Sequence, residues 1–399
     1  MRVAQTILRY ILAGLVVVIL GALSGWYFFL RAQTSTTTAI DTARGLGRES
    51  PTFTGNVGST ATNVVGEGYG SASSSANSSV PAQRLWEVDR APTAGMAFAQ
   101  HSGTSATSTH LYFAERASGY IFDADPRAGN VARLTNTLMP KTYEAIFAPE
   151  KYGVLLRSLD GSGAITTFAG TFASATPGAP QTLSGYYLAK NIRQVAVDQK
   201  SGALFYLTSD PASLGIIGTM LQWDGSKQKQ VFSSPIASWR PSLINGQIIL
   251  LESPADDTPG YAYTLKAGAL MKLVGPVPGL DIAAHPSLNA FLFSSSSGGA
   301  LALFAQVGKD APVRLPLRTV AAKCVWLSDK SLTAYCAVPS GISSAHFMND
   351  WYQGKVHAAD VWWQVNATDG TAKILFSSQQ ALDVQRPTID PSGNYIAFV

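Results

Sequence analysis

Apolar residues fall into three regimes along this chain. From Tyr10 to Leu30 they form one uncharged run, YILAGLVVVILGALSGWYFFL. From Ala32 to Gln83 they thin into Ser, Thr, Gly and Ala, with no sustained period of 2 or 3.6. From Arg84 to Val399 they return as short alternating runs, divided by clusters of Gly, Pro, Asn, Asp and Ser. The patterns predict a transmembrane helix within residues 1–31, a flexible linker over 32–83 and an all-β domain over 84–399.

The β region repeats. Its first unit reads GMAFAQ, HLYFAER, GYIFDAD, NVARLTN, and its third reads RQVAVD, ALFYLTS, GTMLQWD, KQKQVFS: four strands each, with turns between. Units begin at Met96, Glu144, Gln194, Pro241, Asp281, Lys323 and Gln385, at successive spacings of 48, 50, 47, 40, 42 and 62 residues. Four strands in roughly 40–50 residues is the size of a propeller blade. The expected fold is therefore an all-β propeller of about seven blades. The long unit carries an insertion, SGISSAHFMNDWYQGKVHAAD. A pair of β-sandwiches would also show strands at such intervals, but would not predict seven similarly built units.

The hairpins at DPSGNYIAF (Asp390 to Phe398) and HPSLNAFLF (His285 to Phe293) resemble those of WD40-like propeller repeats of the TolB type. That repeat is built around a Ser-Pro-Asp-Gly turn before an aliphatic-aromatic strand. Here Pro-Ser-Gly stands for Pro-Asp-Gly, and the Trp-Asp and Gly-His signatures of strict WD40 repeats are absent. The resemblance implies a propeller and brings no ligand with it. The last unit stops at Val399 after two strands. RLWEVDRAPTAGMAF (Arg84 to Phe98) reads like RLTNTLMPKTYEAIF (Arg133 to Phe147), so Arg84 to Val88 is expected to close the ring as that unit's outer strand.

At 1.5 Å per residue the Tyr10 to Leu30 run spans ~31 Å, one bilayer core. Arg2, Arg9 and Arg31 flank it, and Trp26 to Phe29 form an interfacial aromatic cluster. A cleaved signal peptide would have a shorter apolar run and small residues where Phe28, Phe29 and Leu30 stand. The expectation is an uncleaved single-pass anchor in the cell membrane. Arg31, Arg44 and Arg48 nearly balance Arg2 and Arg9, so charge says little about orientation. The Ser/Thr-rich linker, the Cys pair and the low-charge β region place the C-terminal domain outside the cytoplasm. Gly21 and Gly25 form one GxxxG spacing, a weak signal for dimerisation. Asn77 and Asn366 begin formal glycosylation sequons.

Composition narrows the function classes. Only 14% of residues are charged, and net charge is +4. No basic stripe marks a nucleic-acid surface. Cys324 and Cys336 lie in KCVWLSDKSLTAYC, opposite each other in a hairpin turning near 329–331, so a disulfide is expected. Two cysteines without a nearby His make at most half a zinc site.

No nucleophile elbow, zinc helix, Walker loop or dinucleotide fingerprint is present, and neither metal nor cofactor is expected. His285 reads as a surface turn residue. His346 and His357 lie in the insertion with Asp350 and Asp360, ordinarily a solvated loop. Ser158 to Gly163 imitates an Asp-box turn with its Gly misplaced, and Asp123-Ala124-Asp125 is too short for a calcium loop. Phe347, Met348, Trp351 and Tyr352 read as an exposed recognition patch, since aromatics and Met on a loop are common interface anchors. In DVWWQV one Trp must face each side of the strand, so at least one is expected in the core between blades. The expected function is a membrane-tethered platform binding another envelope or surface protein, or a glycan. The alternative is a propeller hydrolase or lyase acting at the central channel.

Overall fold

Six four-stranded antiparallel sheets follow one another along the chain, each with its strands in sequence order. The computed structural model describes residues 85–102, 107–172, 180–287, 289–328, 330–342 and 344–399. The first strands of blades 1 to 6 are Thr93–Ser102, Thr142–Ala148, Gln194–Val197, Trp239–Ile244, Asp281–Ala284 and Cys324–Ser328. Every one contains, or directly follows, a unit start read from the sequence. The protein is a β-propeller of six blades, not about seven. Its last unit forms only a two-stranded sheet, Thr388–Ile389 with Ile396–Ala397.

The core lies between blades. Tyr112 of blade 1 meets Phe147 and Phe172 of blade 2, the latter edge to face at 5.1 Å. Phe205, Phe232, Trp239 and Leu250 join blades 3 and 4, while Leu292, Leu303, Trp326 and Val365 join blades 5 and 6. The two-stranded sheet fills the gap between blades 6 and 1. Its Ile396 and Phe398 pack with Trp362 and Val384, and its Tyr395 and Ala397 pack with Phe98, Phe113 and Val88. Alternating residues of one short strand thus face opposite neighbours, as a period of two requires.

Near the axis the backbones crowd. A Cβ on Gly95 would lie 2.0 Å from the Ala145 carbonyl oxygen, so the first strands of blades 1 and 2 meet where no side chain fits. At the last hairpin Asp390 accepts the amides of Ser392 (3.1 Å) and Tyr395 (2.6 Å), and Gly393 takes φ +75°. This is the turn that Pro-Ser-Gly predicts.

The expected ring closure takes another form. Trp86 to Val88 are not a strand; Val88 reaches the last sheet through its side chain alone. Arg84 lies outside the described residues, as do the Tyr10 to Leu30 span, the Gly21 and Gly25 pair, the 32–83 linker and Asn77. Among the described residues no helix is long and apolar enough to cross a membrane.

Cys324 and Cys336 form a disulfide, directly opposed across the first two strands of blade 6 with Cα atoms 4.0 Å apart. Closing so short a loop stabilises by ~3 kcal/mol on the chain-entropy account. Trp362 and Trp363 face opposite sides of their strand. Trp362 is buried against the last sheet, and Trp363 packs against the core shared with blade 5.

Candidate functional site

Strands that alternate direction sort their connections onto two faces. The leading ends of all first strands share a face with the connections between second and third strands. The insertion, residues 340–359, joins the second and third strands of blade 6 (Ser331–Pro339 and Asp360–Asn366) and therefore lies on that face.

The insertion is not a solvated loop. Phe347–Tyr352 form a helix whose Phe347 (1% exposed), Met348 (0%) and Trp351 (6%) pack with Leu301, Val320 and Ala358. The expected exposed patch is thus mostly an anchor: its apolar side chains seat the insertion, and only Tyr352 stays partly accessible. Polar contacts tie it to three blades. The Asn349 amide donates to Asp256 Oδ2 (2.8 Å), and the Asp256 amide donates back to Asn349 Oδ1 (3.1 Å). Ser296 donates to the other oxygen of Asp256.

Beneath the helix sits a fully buried amine. Lys323 Nζ donates to Asp360 Oδ2 at 2.6 Å, Asp383 Oδ1 at 2.9 Å and the Val384 carbonyl at 3.0 Å, which engages all three of its hydrogens. It lies 4.4 Å from the centre of the Trp351 ring, and Trp351 Nε1 donates to the same Asp383 oxygen at 2.8 Å. His357 Nδ1 meets Asp383 Oδ2 at 3.1 Å. Burial, with the neighbouring Asp383 charge, raises the pKa of Asp360 against the lowering effect of Lys323 and the Val384 amide. Burial also pushes Asp383 upward, but the bonds from Lys323, Trp351 and His357 and the lysine charge together hold it below the ordinary value.

The next residue faces the other way. Tyr352 Oη donates to Asp281 Oδ2 at 2.8 Å, beside the Ala322 amide at 2.8 Å. The Arg240 guanidinium lies 4.4 Å over the Tyr352 ring and 3.7 Å from Asp281 Oδ1. Burial raises the pKa of both Asp281 and Tyr352, so the phenol keeps its proton and its bond.

A second polar chain continues around the face. Arg386, at φ +50°, donates to the Ala94 carbonyl (2.8 Å) and lies 3.9 Å from Glu144. Buried Arg157 donates to Glu144 and to the carbonyls of Ile192 (2.6 Å) and Arg193 (3.1 Å). Bonds of this kind join the last sheet to blades 1 and 2, and blade 2 to blade 3.

On the opposite face, at the start of the second strand of blade 1, Ser108 Oγ lies 2.8 Å from His110 Nε2. His110 Nδ1 lies 2.9 and 3.0 Å from the two oxygens of Asp123. The bond to Asp123 raises the pKa of His110 against the opposing effect of burial. His285, expected at the surface, is buried: its Nε2 meets the Ser331 carbonyl at 3.1 Å and its ring meets Trp326 edge to face. Among the described residues no group of three or more His, Cys, Asp or Glu is placed to hold a metal.

Sequence reading missed the buried cluster because its members are 37 and 60 residues apart. The one signal was a lysine directly before an apolar strand, in KCVWL. The Ser108 and His110 pair was more accessible, because residues two apart on a strand share a face.

No protein-family model and no curated protein sequence matches this chain. Solved structures are similar in fold at low identity. An uncharacterised protein from Listeria monocytogenes is 12% identical, covering 76% of this chain and 94% of that one, with a TM-score of 0.46. The β-propeller domain of the Trilobed protease from Pyrococcus furiosus, described as having an open velcro topology, is 10% identical over 74% and 87%, at 0.47. An oligogalacturonate lyase in complex with manganese is 9% identical over 77% and 94%, at 0.45.

Replacing Lys323 with Met leaves Asp360 and Asp383 buried without their cation, which should cost about 3–5 kcal/mol. Urea unfolding of K323M measures this, and an unchanged midpoint would refute the role given to the lysine. Because Asp383 titrates below its unfolded value of about 3.9, its ionised form stabilises above that pH, and the contribution is lost as pH falls through the lower folded value. The stability gap between wild type and D383N should therefore close on acidification.

Proposed function

We propose that this protein is a membrane-tethered binding platform whose propeller stands outside the cytoplasm and docks an envelope or surface protein on the face that carries the insertion. The observation behind this reading is the seating of the insertion. The inserted segment is held by buried aromatics, a reciprocal Asn349–Asp256 pair and a buried lysine, so the surface it offers is preorganised. Its ionisable groups are spent on one another, which suits a scaffold better than proton transfer. The membrane half of the proposal rests on the uncharged Tyr10 to Leu30 run and the linker that follows it.

A photocrosslinking residue placed at exposed Lys355 of the insertion should capture a discrete partner in intact cells. The same residue at exposed Lys266, on the opposite face, should not. Equal yields from both positions, or no adduct from Lys355, would contradict the platform reading.

One observation favours hydrolysis as a second reading. Ser108, His110 and Asp123 are bonded in the order of an acyl-transfer triad. With the Nδ1 proton directed at Asp123, Nε2 is left to take the Ser108 proton as Oγ attacks an ester carbonyl. The leaving alkoxide then recovers that proton, and water releases the acyl group. A fluorophosphonate probe should label Ser108, with labelling lost in S108A and in H110A. Labelling that survives S108A, or none in the wild type, would remove this reading.

A further inference from the structure

In the chain Arg386–Glu144–Arg157–Arg193 two guanidinium groups lie on one carboxylate, and Arg157 also binds the backbone carbonyl of Arg193, whose own guanidinium turns to blade 3. Arg157 and Arg386 share Glu144. Arg193 has a neutral partner, with its Nε donating to Ser209 Oγ at 2.8 Å. The cluster thus carries an excess of two positive charges. Its carboxylate also fails to saturate the donors around it, since the Arg157 Nε–H is buried with no acceptor in the protein.

The excess charge is presented outward. Arg386 is 55% exposed and Arg193 is exposed, whereas Glu144 is three-quarters covered. All of these residues lie at or near the leading ends of the first strands of blades 2, 3 and the last sheet, on the face that carries the insertion. Backbone anchors fix the pattern. Arg157 is held by two carbonyls of the segment entering blade 3, and Arg386 is held by Ala94 of blade 1. Groups so fixed lose little freedom on meeting a ligand, and guanidinium pairs with carboxylate by parallel hydrogen bonds.

We infer that this cluster is a subsite for an acidic peptide segment, which supplies the two carboxylates the charge count lacks. The inference rests on the platform reading and names the chemistry of its partner. A peptide fits better than an acidic glycan. Sugar faces stack on open aromatic rings, and the ring beside the cluster, Tyr143, lies 5.4 Å beneath the Arg157 guanidinium.

The test uses the full chain in detergent and a fluorescein-labelled hexaglutamate peptide, with binding read by anisotropy at low salt. Saturable binding should appear and should weaken as salt rises past the screening range. R193E and R386E should each weaken it about tenfold or more, since a lost charge-assisted bond is of that order. Arg386 also tethers the last sheet to Ala94, so its variants are compared only where thermal unfolding stays cooperative, and R386Q, which keeps a donor without adding a carboxylate beside Glu144, should weaken binding as well. K229E makes the same charge change on the outer strand of blade 3 and should leave binding intact. No binding by the wild type, or equal loss in K229E, would overturn the inference. Binding of polygalacturonate with none of hexaglutamate would overturn the peptide assignment. If hexaglutamate fails while the Lys355 crosslink still captures a partner, the subsite falls and the platform stands.

Discussion

A lysine ammonium with no exposed surface governs this molecule. Lys323 stands at the leading end of blade 6, where it gathers Asp360 from the third strand of its own blade, Asp383 and Val384 from the segment entering the last sheet, and the Trp351 ring from the insertion. Three pieces of chain distant in sequence meet at one charge. Burying such an ion is costly, and the cost is met only when every partner is in place. The cluster therefore behaves as an all-or-none fastening. It holds the insertion down, and it holds the two-stranded sheet against blade 6.

The same logic runs around the face in weaker form. Arg240, Tyr352 and Asp281 fasten the insertion to blades 4 and 5, and Arg386, Glu144 and Arg157 carry the connection through blades 1, 2 and 3. Hydrophobic packing between sheets fills the propeller, while these polar contacts position its parts on one side. A two-stranded last sheet has little apolar area of its own, so Trp362, Phe398 and Val384 on one flank and Phe98, Phe113 and Val88 on the other are what retain it.

Much of this fold was legible in the sequence, because strand alternation and Asp/Pro/Gly turns are local. Unit starts such as Gln194 and Asp281 coincide with first residues of strands, and the Cys324–Cys336 pairing followed from hairpin register. The number of blades did not follow, because a half unit reads like the beginning of a whole one. Nor did the direction of Phe347, Met348 and Trp351. An aromatic cluster on an insertion can face a partner or its own scaffold, and only the hollow lined by Leu301, Val320 and Ala358 decides between them. His285 misled for the same reason: a histidine in a polar turn looks exposed until Trp326 and Ser331 of the next blade are brought against it.

Fastened by Lys323, the insertion should be a rigid part of the propeller. Amide hydrogen exchange on peptides covering residues 340–359 tests this directly. If Lys323 and its partners fasten the insertion as described, the Phe347–Tyr352 amides should exchange as slowly as those of the neighbouring strands of blade 6, and K323M should speed exchange there first. Fast exchange in the wild-type protein, at the rate of an unstructured surface loop, would contradict it.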